Sequence, residues 1–321
     1  MSTRRHILSA AAALPAILPR GVRAQSWPAR PIRMIVAFAP GGFTDIAARV
    51  LAERLAAALG QPVAVDNRAG AAGIIGTEAA ARSAPDGYTV LMGTISTHAM
   101  NVGLYRTLSY DPVADFAPVS GVASSPNLLV AHPSRGIRDV ATLVARAKAQ
   151  PGALTYASGG NGTSSHLAGE LFKSIAGVDL LHVPFRSTAP AASAVVAGQV
   201  DLMFDTLPSS LPHARDGRLV ALGVTAAQRL AALPDIPAVA ETVPGFEMGV
   251  WTALFAPAGT PRAVIERLDA ATREALPPLA ARFAELGLEP FPAGPDEVAA
   301  YLRGEITKWT GVIRTARITA D

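Results

Sequence analysis

The chain contains no cysteine. Disulfides, thiolate nucleophiles and cysteine metal sites are therefore excluded, and the fold must rest on its apolar core. Aromatic residues make up only 6% and charged residues 17% of the 321 positions, while half are hydrophobic. So little charge argues against a disordered chain, and this much apolar material fills one large or two medium globular domains. No apolar run in the body of the chain reaches the eighteen or so residues that a membrane-spanning helix needs. There is also no cluster of Lys and Arg to make a basic face, so a nucleic-acid partner is not expected.

The N-terminus is different. "MSTRRHILSAAAALPAILPRGVRAQS" carries an arginine pair, an apolar stretch from Ile7 to Leu18 and Ala24 before Gln25. This is the layout of a cleavable export signal over residues 1–24, too short for a membrane anchor. Arg4-Arg5 loosely fits a twin-arginine signal, and an ordinary secretory signal fits as well. The segment holds four arginines and no acid. Its removal leaves 24 basic against 25 acidic side chains and takes the formal charge from +3 to −1. The high isoelectric point is therefore largely a property of the leader.

The body alternates apolar β-rich runs with amphipathic helical ones. "IRMIVAF", "PVAVDN" and "GYTVLMGT" read as strands, separated by helices over "TDIAARVLAERLAAALG" and "GIIGTEAAARSA". In the first helix Ile46, Val50, Leu51, Leu55 and Leu59 share one face, and Gly60 stops it. The alternation resumes with the strand "NLLVAHP" and runs through "LTYASG", "LLHVPF", "VDLMFDT" and "RLVALGVT", with helices between. The tail reads as three helices, "PRAVIERLDAATREAL", "AARFAELG" and "PDEVAAYLRGEITKWTGVIRTA". Two successive α/β units of about a hundred residues predict two lobes, each a mostly parallel sheet flanked by helices. The chain is expected to cross between them near 120–128 and 220–230, and the closing helices to return to the first lobe.

In open α/β sheets ligands bind beyond the carboxyl ends of strands, where helices begin. Four such junctions are rich in Gly, Ser, Thr and Asn. They are Ala39-Pro40-Gly41-Gly42-Phe43-Thr44-Asp45, Gly93-Thr94-Ile95-Ser96-Thr97-His98, the run from Ala157 to His166, and Phe204-Asp205-Thr206. A helix starting at a glycine turn presents unpaired N–H donors and the positive end of its dipole, which favours an anion. Hydroxyls of Thr44, Thr94, Thr163 and Ser164 add donors. The same threonines and serines also serve as plain helix caps elsewhere, so no single loop is decisive. Two loops in opposite lobes carry more weight, because they can face each other across a cleft. Asp205, at a strand end, either takes a ligand amine or a water, or pairs with a neighbour. His182 reads as a satisfied core histidine, His166 as a residue packing near the third loop, and Trp251 and Trp309 as packing residues.

Other chemistries lack their signatures. The glycine loops do not end in Gly-Lys-Ser/Thr, and no Gly-x-Ser-x-Gly elbow occurs. His166 and Glu170 stand four apart on a predicted helix but bring no third ligand, so neither a metal nor a cofactor is expected. A convergent Ser-His-Asp arrangement is recognised by geometry alone. An exported α/β hydrolase or acyltransferase therefore stays the alternative until a hydroxyl is tested for contact with His98 or His166 with a carboxylate behind.

Several long stretches carry a resemblance: "RPIRMIVAFAPGGFTDIAARVLAERL", "QPVAVDNRAGAAGIIG", "APDGYTVLMGTISTHAMN", "LTYASGGNGTSSHLAGELFK", "HVPFRSTAPA" and "DLMFDTLPSSLPH". They look like the Bug-type solute receptors of tripartite tricarboxylate transporters, over essentially the whole mature chain. The resemblance implies a periplasmic-binding-protein fold of the Venus-flytrap type II kind. It implies a periplasmic, non-enzymatic receptor, expected to be a monomer, that passes a small carboxylate to membrane permease subunits, or serves signalling instead. On this division residues 25–124 start lobe 1, 125–225 form lobe 2, and 226–321 return to lobe 1. The carried-over ligand contacts are Pro40, Gly41, Gly42, Phe43 and Thr44, then Ser158, Gly159, Asn161, Gly162, Thr163 and Ser164, with Asp205. Phe43 stands where the family usually has a small or polar residue, which implies a narrower cleft or a surface for stacking on a ligand ring.

Overall fold

The computed structural model describes residues 27–319; the export-signal reading lies outside them. Strand β1 (Ile32–Val36) leads into α1 (Phe43–Leu59), β2 (Val63–Asn67), α2 (Ile74–Ala81) and β3 (Thr89–Thr94). A widened helical turn, Ser96–Met100, runs into the short α3 (Asn101–Leu104). The long β4 (Phe116–Ala131) is followed by α4 (Val140–Ala149), β5 (Thr155–Ser158), α5 (Ser164–Ala176), β6 (Leu181–Pro184) and α6 (Thr188–Val196). Then come β7 (Leu202–Thr206), α7 (Leu207–Arg215), β8 (Val220–Val224), β9 (Gly249–Pro257), α8 (Arg262–Glu285), β10 (Glu289–Pro290) and α9 (Pro295–Thr315).

These strands make two sheets that share β4. Its first part, through Pro126, pairs antiparallel with β9 in a sheet ordered β2-β1-β3-β9-β4. From Asn127 to Ala131 it pairs instead with β7 and β8 in a sheet continuing β4-β7-β5-β6. The chain returns to the first sheet between β8 and β9. The two crossings are tied where they meet: the Asn127 amide donates to Thr225 Oγ1 at 2.7 Å, and that hydroxyl faces the Met248 carbonyl. The Thr225 amide donates to the Asn127 carbonyl at 2.9 Å.

Where helices connect neighbouring strands the pairing is parallel, as the sequence pattern requires: β1 with β2 and β3, β5 with β6 and β7. The strands at the crossing are antiparallel, so each sheet is mixed rather than mostly parallel. The reason lies in β4 and β9, neither of which is preceded by a crossover helix from its partner. The strand read from Asn127 in fact starts at Phe116, and β9, "GVWTALFAP", is not legible as a strand. Pro118, Gly121 and Pro126 look like loop signals in β4, yet the strand tolerates them at register shifts and at its change of sheet. A second correction concerns α8. The sequence reads as two helices broken at Pro277-Pro278, but one helix runs through both prolines. Leu276, Leu279 and Phe283 are buried on either side of them, so packing against the core outweighs the lost backbone bonds. Helix α7 escaped notice because Pro208 and Pro212 lie inside it.

The core joins both faces of the first sheet to α1, α8 and α9, with Ile35, Leu51, Leu55, Phe255, Leu268, Phe283 and Trp309 fully or almost fully buried. Each such side chain contributes about 1.5–3 kcal/mol through burial. A second cluster under α6 and α7 includes Leu128, Val195 and Met203. Among the described residues no helix is long and apolar enough to cross a membrane.

Candidate functional site

The first loop is fixed from below by its own last residue. Asp45, buried in the first turn of α1, accepts from the Gly41 amide at 2.9 Å, from Arg49 Nε at 3.0 Å and from Asn67 Nδ2 at 2.9 Å. Asn67 also donates to the Phe38 carbonyl. Burial alone would raise the Asp45 carboxyl, but hydrogen bonds from Arg49, Gly41 and Asn67 outweigh it and hold the group below the usual aspartate range. Gly41 takes φ +89°, a left-handed turn that favours glycine. The helix then starts at Phe43 with Gly42 as its N-cap and no side chain capping it.

The third loop is tied in a similar way. The Gly159 amide donates to Ser165 Oγ, Gly160 to Ser158 Oγ, and Gly162 to His166 Nδ1. Thr163 Oγ1 donates to the Gly160 carbonyl at 2.7 Å. As the N-cap of α5, Thr163 therefore spends its hydroxyl on the loop and does not cap the helix amides. Beneath it His166 and His182 stack at 4.3 Å, and His182 Nε2 lies 2.6 Å from Ser158 Oγ. Burial lowers the pKa of both histidines, His182 to about 4, with the neighbouring His166 also lowering it. His182 is thus half-buried and bonded under the loop, a supporting residue as much as a core one.

Two further helices begin at the same place. The N-caps of α6 and α7, Ser187 and Thr206, likewise make no side-chain cap bond. The starts of α1, α5, α6 and α7 converge on an inner cavity of about 50 Å³. Gly42, Phe43, Thr44, Thr163, Ser164, Ser165, Ser187, Thr188 and Thr206 line it, together with Thr94, Ser96 and Gly159. Phe38, Ile95, Val250 and Trp251 supply the apolar wall. Among the described residues no Asp, Glu, His, Lys or Arg lines it. Thr206 Oγ1 is buried there without a hydrogen-bond partner among the described residues. Outside lies a wider mouth of about 560 Å³, lined by Gly70 to Gly73, Tyr105, Gly160, Asn161 and Phe185, with Arg186 at its edge. The inner cavity is closed by contacts between lobes. A Cβ built on Gly42 would stand 3.2 Å from Thr188 Oγ1, and one on Gly162 would stand 3.0 Å from the Tyr105 hydroxyl.

Of the residues expected at the site, Gly42, Phe43, Thr44, Thr94, Gly159, Thr163 and Ser164 line the inner cavity, and Asn161 lines the mouth. Pro40 and Gly41 are exposed at the turn, and Ser158 is buried beneath the loop. Asp205 does not reach the cavity: its oxygens accept from the Thr206 amide at 2.8 Å and from Ser210 Oγ at 2.5 Å. It is fully buried, which pushes its pKa up to about 6 against the opposing pull of nearby hydroxyls and the Thr206 amide. Ser187, Thr188 and Trp251 were not anticipated. The strand-to-helix position of "PFRSTAP" is the signal that could have found the first two. Trp251 is a cavity wall as well as a packing residue.

Catalytic geometry is not assembled around the two histidines in question. His98 is fully buried and bonds Thr97 Oγ1 through Nδ1 at 2.9 Å, and its Nε2 has no partner, and so no carboxylate behind it, among the described residues. His166 Nδ1 accepts from a backbone amide. Among the described residues no three metal-ligating side chains come together.

The arrangement defines a two-lobed binding protein with its cleft between two α/β sheets, the fold of periplasmic binding proteins. The chain belongs to the tripartite tricarboxylate transporter family receptors (TctC), whose family model matches residues 47–318. It is 40% identical to the protein BugT of Bordetella pertussis, over 91% of each chain. A protein of R. palustris solved with adipate shares 37% identity with a TM-score of 0.88, covering 91% of this chain and 99% of that one. MatC from Rhodopseudomonas palustris, solved with bound malate, shares 35% identity with a TM-score of 0.85, covering 89% of this chain and all of that one.

Proposed function

We propose that this protein is a periplasmic receptor that traps a small organic acid between its lobes and delivers it to the membrane subunits of a tripartite tricarboxylate-type transporter, without transforming it. The observation that carries the reading is the meeting of four helix starts, none capped by a side chain, on a cavity that has no charged wall among the described residues. Each helix end favours an anion by about 0.3–1 kcal/mol, so four supply about 1–4 kcal/mol. Several amide and hydroxyl hydrogen bonds of about 1 kcal/mol each then bring the total toward the −8 kcal/mol or so of micromolar binding. The adipate and malate bound by two relatives support a carboxylate as the ligand class.

In this reading the lobes are residues 25–124 joined by 226–321, and residues 125–225. The inner cavity holds only a few waters, so the acid enters with the lobes apart and is enclosed when they meet at Gly42–Thr188 and Gly162–Tyr105. Thermal unfolding of the purified protein against a panel of mono-, di- and tricarboxylates tests this. A ligand at a hundred times its Kd adds about 2.7 kcal/mol to the stability of the folded state. A panel in which no acid raises the Tm, alongside turnover of one of them, contradicts the reading.

A further inference from the structure

Three buried polar atoms beside the start of α7 have no hydrogen-bond partner among the described residues. They are Thr206 Oγ1 and both side-chain atoms, Oδ1 and Nδ2, of Asn127. The two residues are direct partners in the antiparallel pairing of β4 with β7, so their side chains stand on one face of the sheet, about 5 Å apart at Cβ. Thr206 is 6% exposed and Asn127 not at all. Buried hydroxyls and amides are paired in folded proteins, and one left unpaired is costly. Three such atoms side by side mark a place where a guest group completes the bonding.

The sequence explains why the threonine is left free. A threonine at an N-cap accepts from the amide two or three residues on, but Pro208 stands two residues on and has no N–H. Asn127 is pinned through its backbone: its amide donates to Thr225 Oγ1, and its carbonyl accepts from the Thr225 amide. Thr206 lines the inner cavity and Asn127 does not, so the hydroxyl is the contact and the amide stands behind it. The set is neutral. Asp205, the preceding residue, faces the other side of the sheet and spends its oxygens on the Thr206 amide and Ser210. An ammonium therefore finds no counter-charge here. A second carboxylate, which only accepts, would leave Asn127 Oδ1 unpaired. A hydroxyl or a carboxamide both donates and accepts, and so satisfies the set.

We propose that Thr206, backed by Asn127, sets the specificity of the cleft by taking a neutral hydroxyl or carboxamide of the ligand, away from the carboxylate held by the loops. This rests on the receptor reading and narrows its ligand to a hydroxy or amide acid with one carboxylate. Calorimetric titration of the full chain with butyrate, 4-hydroxybutyrate, succinamate and succinate, and with hexanoate, 6-hydroxyhexanoate, adipamate and adipate, tests it. In the series whose length fits, the hydroxy or amide acid is expected to bind about tenfold more tightly than the methyl-ended acid, and more tightly than the diacid. Thr206→Val should erase that preference and Thr206→Ser, which keeps the hydroxyl, should retain it. Asn127→Leu, close in size, should reduce it about threefold. The comparison is a ratio of affinities within each protein, so a change in stability does not enter it. A diacid that binds tightest, or a ratio unchanged in Thr206→Val or in Asn127→Leu, overturns the assignment and leaves the receptor reading standing. Binding by none of the eight acids overturns it too, whereas only failure of the whole carboxylate panel contradicts the receptor reading.

Discussion

Gly42 and Thr188 face each other across the cleft, one at the start of α1 and the other in the first turn of α6. A methyl group on Gly42 would meet the Thr188 hydroxyl at 3.2 Å, tighter than ordinary contact. Gly42 has φ −89°, which any residue adopts, so its small size answers to the opposite lobe and not to its own backbone. Gly42→Ala is therefore expected to lower the Tm of the unliganded protein only by the loss, up to about 1 kcal/mol, of alanine against glycine at an N-cap, and to weaken carboxylate binding several-fold. The double variant Gly42→Ala/Thr188→Ala should recover much of that loss. Calorimetric titration of the three proteins decides it: equal affinity in all of them means the lobes do not meet here when ligand is bound.

Asp45 anchors the first loop by accepting from Gly41, Arg49 and Asn67. Its pKa is depressed in the fold, so its contribution is complete above the unfolded value of 3.8 and is lost as pH falls through the lower folded value. Asp45→Asn should cost about 1–3 kcal/mol at pH 7 and remove part of the acid destabilisation below about pH 4. Urea unfolding at pH 7 and pH 3 measures both, and a variant as stable as the parent at pH 7 contradicts the anchoring role.

Beneath the third loop, His182 is kept neutral to about pH 4 by burial and by His166. Its unfolded counterpart protonates near pH 6.5, so stability from this group is full above 6.5 and falls as pH drops toward 4. His182→Gln should flatten that part of the profile. The comparison is the difference between parent and variant, and parallel curves from pH 7 to 4 count against it.

Asp205 runs the other way. Its folded pKa of about 6 lies above the unfolded 3.8, so its contribution is present below 3.8 and is lost as pH rises through 6. Asp205→Asn keeps an oxygen for the Thr206 amide and is expected to raise the Tm at pH 8 while changing little at pH 3.5. A lower Tm at pH 8 would mean that the charge itself is needed, for instance by the Ser210 bond.

The parallel strands and the helices that join them are legible because their patterns are simple: "IRMIVAF" and "VDLMFDT" are short runs with an unbroken apolar centre, and α1 keeps one apolar face to Gly60. The crossing strands are not, because β4 changes partners at Pro126 and its prolines and glycine sit at irregular pairs that only the tertiary register reveals. Of the site, the loops at Gly42–Thr44 and Thr163–Ser164 follow from the rule that glycine turns open helices at strand ends. Ser187, Thr188 and Trp251 do not, since their place depends on how the second lobe folds over the first. The turning of Asp205 toward Ser210 is likewise a matter of packing: a helix begins at Leu207 and offers Ser210 within reach.

The central claim is that neutral helix starts, and no fixed cation, hold the acid. A crystal structure of the complex with whichever carboxylate raises the Tm most tests it directly. The account predicts one carboxylate between Gly42–Thr44 and Thr163–Ser165, bonded to backbone amides and hydroxyls directly or through water, with no arginine or lysine in contact. A carboxylate paired with Arg186 at the mouth, and an inner cavity without it, would contradict the account.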